Sequence, residues 1–145
     1  MSTATSGVGM FALLHAANAV EGFVEARLSA VGLSIPKLAA LNRLVEAGDS
    51  LPLGQLAERL ACVKSNVTQL VDRLEADGLV ERAPDPNDRR SRLAVLTDRG
   101  RSAYTEGARI QRDAELQVFS ALSPDDTFRF GEIIAKLNGC RGKTD

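Results

Sequence analysis

The chain has 145 residues, 44% of them hydrophobic, and its 18 Lys and Arg against 19 Asp and Glu leave a formal net charge of -1. That length supports one domain, or one domain with extra helices, whose core needs no covalent staple, and the near-neutral balance excludes a general nucleic-acid coat protein, so any docking on nucleic acid must come from a local group of cations. Cys62 and Cys140 have no paired spacing and no secretory leader precedes them, which points to a reducing cytoplasm, and no apolar run approaches the roughly 20 residues that span a bilayer.

The opening residues 1–6, MSTATS, are small and polar and are expected to be disordered. Over 7–31, Phe11, Leu14, Ala17, Val20, Phe23, Val24 and Leu28 recur at helical spacing and predict a long helix that Gly32 stops. Apolar residues cover much of its circumference, which predicts burial on more than one side. Ser34 caps a second helix, with Pro36 near its start, Leu38, Leu41, Leu44 and Val45 on its inner face and Gly48 at its end. The extended Leu51-Pro52-Leu53 leads into a short third helix bearing Leu53, Leu56, Ala57 and Leu60, and a turn over 61–64 opens a fourth. Two short helices about a tight turn make a helix-turn-helix.

In the fourth helix Val67, Leu70, Val71 and Leu74 gather on one side, with Ser65, Thr68, Gln69 and Asp72 on the other. The polar side carries short hydrogen-bonding groups rather than the Lys/Glu mixture of a merely solvated helix, and such groups suit base edges and phosphates. After Gly78 the apolar period changes: 79–83 and 93–97 read as two strands, with Pro84, Asp85, Pro86, Asn87 and Asp88 as turn formers. The loop over 86–92 holds Arg89, Arg90 and Arg92 against one acid. Thr97 caps a fifth helix, with Asp98 in its first turn, that runs through Ala103, Tyr104, Ala108 and Ile110 to about residue 122. Ser123-Pro124-Asp125-Asp126 is a further start signal, and a last helix presents Phe128, Ile133, Ile134 and Leu137 before Gly139.

Three pieces, VTQLVDRLEADGLVER (67–82), DRRSRLAVLT (88–97) and the LT-x-x-G of Leu96, Thr97 and Gly100, stand in an order and spacing that resemble the MarR family of winged helix-turn-helix transcription regulators. The resemblance covers about residues 53–100, with a compatible helix order outside it. It implies a mainly α fold with a small β-hairpin wing (α+β): a disordered 1–6, a dimerisation helix over 7–33, a winged helix-turn-helix DNA-binding domain over 34–100 and dimerisation helices over 101–145. It further implies double-stranded DNA and a second copy of the chain as partners, a small aromatic or phenolic effector, and action as a repressor. Carried over residue by residue, it makes Ser65, Asn66, Thr68 and Gln69 the major-groove contacts, with Lys64 beside them as a further DNA-binding residue. Arg73 then meets a phosphate or closes a salt bridge at the helix edge, Arg90 reaches the minor groove, and Arg89 and Arg92 contact phosphates. Many family members have a basic residue where this chain has Gln69, and glutamine pairs bidentately with adenine.

Asp72 fits the interface poorly, because phosphates repel a carboxylate, and it is expected to pair with a wing or neighbouring arginine. On the effector side the resemblance implies a pocket between the first helix and the DNA-binding lobe. His15, the single histidine, and Phe11, one turn earlier on the same face, are the candidate ligand contacts; core or interface packing is the competing role for His15 and core packing for Phe11. Cys62, at the turn into the fourth helix, is a candidate redox-sensing thiol or a small buried turn residue. One histidine and two distant cysteines cannot supply a metal site of ordinary spacing, and the chain has neither a glycine-rich phosphate loop nor a nucleophile elbow. Neither catalysis nor a cofactor is expected. The reading from another class is a winged-helix protein-interaction module, whose mark would be an apolar wing or helix face where this chain has arginines and short polar groups.

Overall fold

A computed structural model describes residues 6–60 and 66–141. Among them the elements run α1 (Ser6–Ser29), α2 (Ile35–Glu46), β1 (Ser50–Pro52), α3 (Leu53–Arg59), α4 (Val67–Ala76), β2 (Val80–Asp85), β3 (Asp88–Leu96), α5 (Asp98–Phe119) and α6 (Pro124–Arg141). The expectations for residues 1–5 and for Cys62, Lys64 and Ser65 lie outside the described residues.

Four of the described helices, α2, α4, α5 and α6, begin where short polar side chains replace missing backbone partners. Ser34 Oγ accepts the Lys37 N–H at 3.2 Å, and Asn66 Oδ1 accepts that of Gln69 at 3.3 Å. Thr97 Oγ1 accepts the Gly100 N–H at 3.0 Å and donates to the Gly78 carbonyl at 2.6 Å, joining the start of α5 to the end of α4. At α6 the cap is reciprocal: Ser123 Oγ accepts from the Asp126 N–H while Asp126 Oδ2 accepts from that of Ser123.

The sequence predicts a two-stranded hairpin; the sheet has three strands in the order β1-β3-β2, all antiparallel. The extended Ser50–Pro52 pairs with Leu93, Ala94 and Val95, so β3 is the central strand. A second difference concerns the wing. Asp85 Oδ1 accepts the Asn87 N–H at 2.9 Å and closes a turn at Pro86 and Asn87, so the chain is extended again from Asp88. Arg89, Arg90 and Arg92 therefore lie on β3 rather than in a long loop.

The chain divides into two compact units, Met1–Gln111 and Arg112–Asp145, with the division inside α5. The first unit holds a continuous core in which Leu28, Leu41, Leu44, Leu56, Leu60, Val71, Leu74 and Val80 are fully buried, each side chain contributing about 1.5–3 kcal/mol relative to exposure. The inner stripe of α4 is part of it, so the core fixes which face of that helix looks outward. Gly107 lets α5 approach closely: a β-carbon there would meet Leu38 Cδ1 at 2.7 Å and Leu33 Cδ1 at 2.8 Å. In the second unit the rings of Phe119 and Phe130 pack with centroids 5.7 Å apart.

Among the described residues, the burial predicted around α1 is found only near its C-terminal end. Leu28 is buried and Phe23 and Val24 are half-buried, but Met10, Phe11, Leu13, Leu14 and Val20 are exposed, because the core engages only the last turns of the helix. The second unit likewise exposes Leu116, Phe128, Ile133 and Leu137. Among the described residues no helix is long and apolar enough to cross a membrane.

Candidate nucleic-acid interface

With Leu70, Val71 and Leu74 of α4 buried, Thr68, Gln69, Asp72 and Arg73 stand exposed on its outer side. Asn66 is exposed at the start of the helix, its Oδ1 engaged in capping while its amide nitrogen remains a donor. Gln69 and Arg73, one turn apart, border a crevice of about 170 Å³ whose other wall is Ser34, Pro36 and Lys37 at the start of α2. Arg73 forms no ion pair among the described residues, and the outer side of α4 thus offers an amide, a hydroxyl and a guanidinium.

The acids of this helix are all met by cations from other elements. Arg82 of β2 donates from Nη2 to Asp72 Oδ1 at 2.6 Å and from Nη1 to Glu75 Oε1 at 2.9 Å. Its backbone N–H also donates to Glu75 Oε2 at 3.1 Å. At the C-cap, Asp77 receives Lys37 Nζ at 2.9 Å. The hydrogen bond to Asp72 raises the Arg82 pKa above its ordinary value; burial opposes this, and the attraction of Asp72 and Glu75 adds to it. The partner expected for Asp72 is therefore Arg82, a residue absent from the sequence-derived site.

In the wing, β2 and β3 stay in register from Val80–Leu96 to Pro84–Arg92, and the next pair is Asp85–Asp88. This shift leaves Arg89, Arg90 and Ser91 bulged on β3 without partners on β2. Asp88 Oδ1 accepts the Arg90 N–H at 3.0 Å, fixing the backbone that carries the arginine. Arg89, Arg90 and Arg92 are exposed and make no ion pairs among the described residues. Sequence reasoning missed Asp88 as a positioning group, although an acid two residues before an arginine at a turn is an Asx-turn signal.

Phe11 and His15 occupy an exposed stretch of α1, with Phe11 69% exposed. A cleft of about 690 Å³ in the first unit is lined by Leu33 after α1, by Asp77 and Leu79 after α4, and by Arg99, Ser102 and Glu106 of α5. Neither Phe11 nor His15 lines it. Among the described residues no group of three His, Cys, Asp or Glu side chains is placed to hold a metal ion.

Residues 31–91 match the model of the MarR family. The chain is similar to the uncharacterized HTH-type transcriptional regulator YkoM of Bacillus subtilis, 37% identical over 66% of this chain and 61% of YkoM. It is also similar to the transcriptional activatory protein BadR of Rhodopseudomonas palustris, 34% identical over 65% of this chain and 55% of BadR. The chain thus spans less than two thirds of these relatives. A solved probable transcriptional regulator from Pseudomonas aeruginosa superposes with a TM-score of 0.78 at 28% identity, over 88% of this chain and 94% of that one. Two more distant structures share the fold: the organohalide-sensing regulator RdhR in its 2,4-dichlorophenol-bound form has a TM-score of 0.81 at 18% identity, over 93% of this chain and 80% of that one. A MarR variant from E. coli complexed with operator DNA has a TM-score of 0.78 at 19% identity, over 94% of this chain and 97% of that one.

Proposed function

The chain belongs to the MarR family, and from that premise we propose that it is a cytoplasmic, sequence-specific DNA-binding transcription regulator, a ligand-responsive repressor acting as a homodimer on a pseudo-palindromic operator. The observation that carries this reading is the pairing, on one lobe, of an exposed polar helix face with three exposed wing arginines that form no ion pairs among the described residues. Asn66, Thr68 and Gln69 meet base edges in the major groove, with Ser65 assigned to the same contact from sequence and Lys64 to DNA binding beside it. Arg90 enters the minor groove, and Arg73, Arg89 and Arg92 hold phosphates. The MarR variant of the same fold solved with operator DNA supports the reading that this chain binds DNA.

The exposed apolar side chains of α1, and separately those of α5 and α6, supply the dimer contacts. A two-fold dimer demands half-sites about 10 base pairs apart. Repression follows from occupying an operator; the same docking at another position relative to a promoter serves activation, as the name of BadR records for that protein. The effector is a small aromatic acid or phenol, a class supported by the dichlorophenol-bound relative in fold, and Phe11 and His15 offer it a ring face and a polar tip. A ligand that prefers a dimer with altered separation of the recognition helices lowers DNA affinity, and DNA weakens the ligand to the same degree.

The test is selection of bound duplexes from a random library at about 0.15 M salt, where exposed charges are already screened. A palindrome with two half-sites is the expected enrichment. Failure to enrich any sequence, after removal of ligand carried from expression, would leave the protein-interaction reading in its place.

A further inference from the structure

A recognition helix that docks on phosphates is expected to be short of acids, yet α4 carries Asp72 and Glu75 with Arg73 as its one cation. Asp72 is adjacent to Arg73 and three residues after Gln69, so it stands at the edge of the outer face, and its side chain is 60% exposed. Glu75, 42% exposed, lies in the last turn, where the helix carbonyls already concentrate negative potential. Left alone, the two carboxylates would set a net negative charge beside the surface offered to DNA. Both are instead held by one guanidinium, that of Arg82, only 20% exposed and reaching up from β2 beneath them.

We infer that Arg82 acts as an electrostatic shield of the DNA-reading surface, masking Asp72 and Glu75 so that phosphates can approach Gln69 and Arg73. The inference rests on the DNA-binding reading above and names a residue that the reading itself does not use. Its geometry separates charge from scaffolding. The Arg82 backbone N–H holds Glu75 Oε2 independently of the side chain, and β2 is fixed to β3 by the Arg82–Ala94 and neighbouring pairs. Removing the guanidinium while keeping the apolar stem, as in Arg82→Met, therefore leaves the strand anchored and exposes the two carboxylates. The guanidinium is less exposed than the acids it holds, so its value to binding is what it cancels. A shield has a signature that a phosphate contact or a structural clamp lacks: it becomes dispensable once the acids are neutral.

The experiment measures binding to the selected duplex by four proteins: the parent, Arg82→Met, Asp72→Asn with Glu75→Gln, and the combination of all three substitutions, each checked for folding by thermal melting. Arg82→Met is expected to weaken binding by about tenfold or more, because it juxtaposes like charges at the interface. The triple variant is expected to return to within about threefold of the parent, since the substitutions act on one network and are not additive. The pair Asp72→Asn and Glu75→Gln alone is expected to bind at least as tightly as the parent, with a steeper salt dependence, because it frees a cation. Weaker binding by that pair would identify a structural clamp and overturn the inference, whether or not Arg82→Met folds. A triple variant as weak as Arg82→Met would overturn it too, by making the guanidinium itself the contact. If the parent bound no duplex, the DNA-binding reading would fall and the shield with it; parent binding with unsuppressed loss removes the shield alone.

Discussion

Gly100 in the first turn of α5 lies against the backbone of Leu79, so close that a β-carbon on it would fall 2.1 Å from the Leu79 carbonyl oxygen. The same junction holds the Thr97 hydroxyl on the Gly78 carbonyl and the Leu79 carbonyl on the Thr97 N–H, at 2.6 and 3.1 Å. The end of α4, the base of the β2–β3 hairpin and the start of α5 are thus bound together at one point.

Gly100→Ala cannot be absorbed there, because the obstructing atoms are backbone and Leu96 Cδ1 at 2.7 Å. It is expected to cost about 3 kcal/mol, the upper end of ordinary overpacking. Thermal unfolding followed by circular dichroism should show a midpoint lower by on the order of 10 °C for a chain of this size. A midpoint within a degree or two of the parent would mean that α5 can move away from Leu79.

Asp88→Ala removes the acceptor that holds the Arg90 N–H and leaves the three wing arginines in place. Since the tip buries little, folding should be unchanged, while DNA affinity falls by several-fold, less than in Arg90→Ala. Equal affinities of Asp88→Ala and the parent, in a fluorescence anisotropy titration, would show that the turn does not aim the arginine.

Gln69→Ala is expected to relax base preference at one position per half-site by about 1–3 kcal/mol, the worth of a bidentate amide–adenine pair. Titration against the selected operator and its single-base variants measures this. Uniform weakening across all the variants would assign Gln69 to the backbone instead.

Exposed apolar residues on the C-terminal unit, with Phe128 70% exposed and Ile133 54%, carry the prediction for assembly. Replacing both by Asp should yield a monomer in analytical ultracentrifugation, and the lost linkage of two half-sites should weaken operator binding by about 10²–10⁴. A dimer persisting in the double variant would place the interface elsewhere.

Several helices were legible from residue order because they carry a local start signal: Ser34 with Pro36, Thr97 with Asp98, and Ser123 with Asp126 all cap as their chemistry dictates. What escaped was set by pairing at long range. Local sequence marks Leu51–Pro52 as extended but not as a third strand, since its ladder partners are Leu93, Ala94 and Val95. The wing turn read longer than it is because Pro84, Asp85 and Asp88 are turn formers by type, yet here the first two end β2 and the last begins β3. Periodicity on α1 marks apolar residues but not what covers them, so Phe11 and Leu14 read like Leu28 although only Leu28 is buried. The charge of Asp72 called for a cation, and only the fold could identify it as Arg82, ten residues on in the neighbouring strand.

The central claim, that the outer face of α4 and the wing read DNA sequence, is tested most directly by titrating the parent and Arg90→Ala against the selected palindrome and a scrambled duplex of equal length at about 0.15 M salt. The parent should prefer the palindrome by at least about 10³, with Arg90→Ala losing most of that affinity while melting at the parent's temperature. Equal binding of the parent to both duplexes, or an Arg90→Ala protein that binds as the parent does, would contradict it.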